Sequence, residues 1–114
     1  MPSSAALQAA GVVLALGSDS PVTPIDPWGT VRAAVAHRTP GSGLDLEAAF
    51  AAHTRGGWQA ARVDVAGVLT VGAPATFAVW ATSGDRGPGL PGPDEAVPPC
   101  LRTVVRGVPV HLID

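Results

Sequence analysis

The first strong pattern along the chain is a continuous apolar run, Gly11-Val-Val-Leu-Ala-Leu-Gly17, which ends in Ser18-Asp19-Ser20-Pro21. A run without polar alternation predicts a strand covered on both faces, as a parallel strand is inside an α/β sheet or barrel. Leu7 to Ala10 reads as the end of a helix that Gly11 stops. After a turn punctuated by Pro21 and Pro24, Asp26-Pro27 combines an N-cap residue with proline at the first helical position. Trp28, Val31 and Val35 then recur at helical spacing, which predicts a helix from about Pro27 to His37. Asp45 caps a second expected helix, with Glu47 in its first turn and Leu46, Ala49, Phe50 and His53 as its inward stripe. That helix could continue past Gly56-Gly57 to about Ala61.

Beyond this point the texture changes. Val63 to Val71, Ala75 to Thr82 and Leu101 to Leu112 are rich in Val and Thr and cut by Gly, a pattern of short strands. The Gly/Pro-rich stretch 83–99 between them reads as an exposed loop. The expected order is therefore strand, helix, helix, strands: an α/β unit over 1–62 joined to a small β unit over 63–114. A lone parallel strand needs neighbours on both edges, and no other segment supplies a set of parallel partners. The sequence reads as part of something larger.

Composition narrows the classes. In 114 residues, 46% are hydrophobic and only 14% charged, which excludes a disordered charged tail. The net charge of −2 disfavours nucleic acid and anionic membranes as partners. No apolar run approaches the roughly 20 residues of a membrane span, and the N-terminus lacks the basic start of a signal peptide. A cytoplasmic location is the expectation. Cys100 is the single cysteine, so no intrachain disulfide can form, and its Val97-Pro98-Pro99 context reads as a loop with an ordinary thiol.

The candidate chemistry centres on Asp19, just past the C-terminal end of the apolar run, where β/α barrels collect catalytic groups. A carboxylate there can hold a metal and take a proton from bound water. Alternatively, Asp19 caps a turn, as Asp commonly does. Of the histidines, His37 is expected at a helix C-terminus on the surface, His53 packed on the second helix, and His111 in the last strand. None pairs with another ligand at helical spacing.

Gly17-Ser18-Asp19-Ser20-Pro21-Val22, Pro24-Ile25-Asp26-Pro27-Trp28 and Val31-Arg32-Ala33-Ala34-Val35 resemble the end of the catalytic barrel of metal-dependent amidohydrolases. The resemblance is closest to the YtcJ-like (amidohydrolase 3) branch, which includes N-substituted formamide deformylases. It continues through Leu44 to Trp58, through Gly67 to Trp80, and through Arg102 to Val110, which is similar to the family's terminal β-hairpin. Thr76 departs from the pattern, standing where the family usually has Asp, which puts a fully maintained β unit in doubt.

The resemblance implies a C-terminal fragment of a (β/α)8 TIM barrel, its last strand and following helices, plus part of a small β-sandwich. It implies that Asp19 is the catalytic aspartate after the eighth strand, a metal contact and general base. The activity implied is hydrolysis of C–N bonds other than peptide bonds in small amides, formamides or cyclic amides, with a divalent metal, zinc, in the complete enzyme. The family's His-x-His pair, bridging lysine or carboxylate and later histidines have no counterpart here. The isolated chain is therefore expected to be inactive and metal-free, with the rest of the barrel or a second copy as partner. The alternative is a truncated, non-catalytic remnant serving as a small structural or interaction protein.

Overall fold

Local signals near the N-terminus act as the sequence dictates. The computed structural model describes residues 2–82 and 89–113. Helix α1 (Ser4–Ala9) starts where the Ser3 hydroxyl accepts from the Ala6 N–H at 3.1 Å. It ends at Gly11, whose φ of +82° suits glycine and lets its N–H reach the Gln8 carbonyl.

The apolar run departs from expectation. Residues 12–18 form neither helix nor strand and pair with no strand among the described residues. Leu14 and Leu16 pack against Val31, Leu44 and Ala49, and the Leu16 N–H donates to Ala52. The intervening positions are open: Val13 is 66% exposed and Ala15 is exposed as well. The segment is thus covered on one face by helices, not on both. Strand pairing needs a second backbone, and none here offers one.

Helix α2 (Pro27–Val35) opens as its cap predicts, with the Asp26 carboxylate accepting from the Gly29 N–H at 3.0 Å. Trp28 and Val31 are buried. It stops at Val35, two residues before the expected end, so His37 lies in the following loop and not on the helix. Helix α3 (Leu46–His53) is capped by Asp45, which accepts from Ala48 at 2.7 Å. Its inward side is Ala49 and Ala52, with Leu46, Phe50 and His53 half-buried. Thr54, at φ −110° and ψ −88°, interrupts the helix before α4 (Arg55–Ala60), so the expected continuation is a separate element. Buried Gly56 brings α4 against the apolar run: a Cβ there would lie 2.0 Å from the Leu14 carbonyl oxygen.

Among the described residues three strands follow: β1 (Phe77–Trp80), β2 (Cys100–Val105) and β3 (Val108–Leu112), in the antiparallel order β1-β2-β3. Arg106 and Gly107, both at positive φ, form the two-residue β2–β3 turn. The Thr76 hydroxyl accepts from the Arg106 N–H at 3.0 Å, and Gly107 donates to Ala75, so the segment before β1 anchors the hairpin tip. Thr76, whatever its departure from the family pattern, has a hydrogen-bonding role at this point.

Two expectations fail in the sheet region. Residues 63–71 form turns and not a strand, with Leu69 84% exposed; their β-branched side chains find no neighbouring strand to pack against. Cys100 opens β2 instead of lying in a loop, with its sulfur 3.5 Å from the Thr103 hydroxyl. Of the expected 83–99 loop, residues 83–88 lie outside the described residues. Residues 89–99 contain no helix or strand but are anchored, with Pro91 and Pro98 buried and the Arg32 guanidinium donating to the Glu95 carbonyl.

Helices and sheet meet through aromatic contacts. Trp28 stacks on Phe50 at 5.8 Å and meets Trp80 edge-on at 5.7 Å. The fully buried core is thin: among the described residues no large side chain falls below 2% exposure, while Val22, Ile25, Val108 and Val110 are all more than half exposed. An apolar surface of this kind favours association. Sedimentation at high micromolar concentration is expected to show oligomers or aggregates, with dye binding reporting exposed apolar surface. A stable monomer that binds no such dye would count against this.

Candidate functional site

The turn after the apolar run is built by its serines and threonine. The Ser18 hydroxyl accepts from the Ser20 N–H at 3.2 Å, and the Ser18 carbonyl accepts from the Thr23 hydroxyl. Val22 N–H donates to the Asp19 carbonyl at 2.9 Å, and the Ser20–Pro21 peptide is cis. Asp19 sits at the head of this turn with φ +57°, a left-handed conformation that Asp tolerates better than most residues.

Its carboxylate is exposed and takes part in no hydrogen bond or ion pair within the described residues. A capping aspartate accepts from an N–H two or three residues on, as Asp26 and Asp45 do. At Asp19 that task falls to Ser18. The carboxylate therefore projects from a fixed backbone with its acceptor capacity unused.

The remaining candidate groups are spread across the chain. His37 Nδ1 accepts from the Thr39 N–H at 3.1 Å. His53 closes α3, and His111 Nε2 donates to the Cys100 carbonyl at 3.1 Å across the β2–β3 pair. No group of three or more His, Cys, Asp or Glu side chains able to hold a metal is present among the described residues. A tightly held zinc ion takes three or four such donors. The described residues thus do not compose a metal centre by themselves, and Asp19 is one donor toward one at most. Among the same residues, no helix is long and apolar enough to cross a membrane.

Sequence reasoning missed one feature. Trp28, Phe50 and Trp80, separated by 22 and 30 positions, line a common cavity of about 210 Å³ together with His53. The stripe positions of Trp28 and Phe50 signalled burial, but nothing local placed Trp80 against them.

The comparisons bear on what the Asp19 turn belongs to. No curated protein and no solved structure matches the chain. A family model described as the amidohydrolase family matches residues 1–111, a span that takes in the apolar run, the Asp19 turn, helices α1 to α4 and nearly all of the sheet. By that match over almost its whole length, the chain belongs to the amidohydrolase family.

Proposed function

We propose that this chain is the C-terminal part of a metal-dependent amidohydrolase of the YtcJ-like branch, acting on non-peptide C–N bonds of small amides, formamides or cyclic amides. Residues 1–62 belong to the end of the catalytic barrel and 63–114 to the β-sandwich. Asp19 is the residue that accepts a proton from the hydrolytic water and, in the complete enzyme, contacts the divalent metal, with zinc the best candidate. The observation that carries this reading is the Asp19 carboxylate itself: exposed, held on a backbone organised by other side chains, and without a partner among the described residues to neutralise it. A free carboxylate beside water is the form a general base requires.

The rest of the site comes from the remaining barrel or, in an assembly, from a second copy. The exposed Val13 and Ala15 and the backbone of residues 13–15, which joins no strand ladder among the described residues, are suited to receive a neighbouring strand, since each unpaired N–H and C=O seeks a partner. A non-catalytic role as a small interaction protein is the second reading, favoured by the scatter of His, Cys and acidic side chains among the described residues.

One experiment separates the two. The purified chain alone is expected to hydrolyse no amide or formamide and, in a calorimetric zinc titration, to show no tight stoichiometric binding. Supplying the remaining barrel of its own or a closely similar enzyme is expected to restore metal-dependent hydrolysis. Submicromolar one-to-one zinc binding by the chain alone would sink the incomplete-site argument, and a well-folded assembly without activity would favour the interaction protein.

A further inference from the structure

The chain contains three Trp, two Phe and no Tyr, and all five aromatic side chains line two adjoining cavities between the helices and the sheet. The first, about 210 Å³, is walled chiefly by Trp28, Val31, Phe50, His53, Ala78 and Trp80. The second shares Phe50, His53 and Thr54 with it and adds Trp58 and Phe77. We propose that the first cavity is a binding site for a neutral, single-ring aromatic molecule carrying one hydrogen-bonding group, of the phenol class.

Size, charge and geometry each narrow the ligand. An apolar cavity of roughly 150 Å³ suffices for benzene, so this one accepts one ring and a small substituent. Among the described residues no Asp, Glu, Lys or Arg lines it, so a charged ligand would lose its hydration without gaining a counter-charge from them. The wall rings meet at 28° and 85°, the stacked and edge-on arrangements that a third ring can extend. The polar group of the ligand has a partner in His53, half-buried in the wall, whose ring makes no hydrogen bond within the described residues. No residue of the Asp19 turn lines the cavity, so the site stands apart from the hydrolase reading.

The test is a titration of the whole chain with phenol, toluene, cyclohexanol and benzoate, followed by amide and indole N–H resonances. Phenol is expected to saturate with a Kd on the order of 1 mM, a strength in keeping with so few ligand atoms. Shifts should centre on His53, Thr54 and the indoles of Trp28 and Trp80. Cyclohexanol should bind about two- to tenfold more weakly, the worth of aromatic pairing, and benzoate should not bind. Ala78→Leu, which fills the cavity, should weaken phenol at least about tenfold. His53→Leu should weaken phenol about three- to tenfold and leave toluene unchanged. Where Ala78→Leu fails to fold, the His53→Leu comparison and the ligand series on the unaltered chain decide. No saturation by phenol, shifts centred elsewhere, cyclohexanol or benzoate binding as tightly as phenol, or an unchanged phenol-to-toluene ratio in His53→Leu would overturn the proposal.

Discussion

Asp19→Asn, made in the chain joined to the rest of its barrel, is expected to lower turnover by about 10²–10⁴-fold, the usual cost of removing a general base. The amide has nearly the same size but cannot take a proton from water. The backbone should not notice the change. Asn tolerates the left-handed conformation that Asp19 adopts at φ +57°, and the carboxylate gives up no hydrogen bond within the described residues. In the isolated chain, the same substitution should therefore shift stability by less than about 0.5 kcal/mol. Ser20→Ala should cost little turnover.

Ser18→Ala provides the opposite control. It removes the hydroxyl that accepts the Ser20 N–H, so it should loosen the turn by about 0.5–1.5 kcal/mol. If Asp19 were simply a turn cap, the order would reverse: Ser18→Ala would be silent and Asp19→Ala would destabilise. An assembled Asn variant that keeps more than about a tenth of its turnover would defeat the general-base assignment.

Two adjacent glycines in α4 should respond in opposite directions to the same methyl group. A Cβ at Gly56 would sit 2.0 Å from the Leu14 carbonyl oxygen and 3.1 Å from its carbon, whereas one at Gly57 meets nothing within 4 Å. Alanine in a helix is favoured over glycine by about 0.8–1 kcal/mol. Gly57→Ala should therefore stabilise the chain by up to that amount. At Gly56 the clash is with backbone, which cannot rotate away as a side-chain tip does. The helix must lift from the apolar run, and the net effect should be a loss of about 1–3 kcal/mol. In a chain with so thin a core, a loss at the upper end is a large share of the total stability. Because Leu14 belongs to the segment leading to Asp19, Gly56→Ala should also broaden the resonances of the Asp19 turn. Denaturant melts at one protein concentration, fixed because association would shift them, provide the comparison. Equal shifts in the two variants would show that α4 does not press on the run.

Features that depend on a few consecutive residues were legible in the sequence. Asp26-Pro27 and Asp45 start their helices because a cap needs only its own carboxylate and an N–H three residues on. Gly11 stops α1 for an equally local reason, its positive φ. The Asp19 turn lay where the end of the apolar run placed it, and its motif carried the family likeness. Whether Asp19 caps that turn was not legible, because Ser18 and Asp19 are both competent acceptors and only the folded backbone chose Ser18.

Tertiary structure decided whatever needed a distant partner. The runs 11–17 and 63–71 have strand-like composition, yet neither is a strand, since a ladder requires a second backbone in register and the described residues offer none. Cys100 joined a strand despite its two preceding prolines because β1 supplied a backbone in register, with Trp80 opposite Cys100. The aromatic cavity is the furthest from local control. Trp80 meets Trp28 only because the sheet lies against α2, and side-chain packing between elements so distant in the chain leaves no periodicity for a sequence to display.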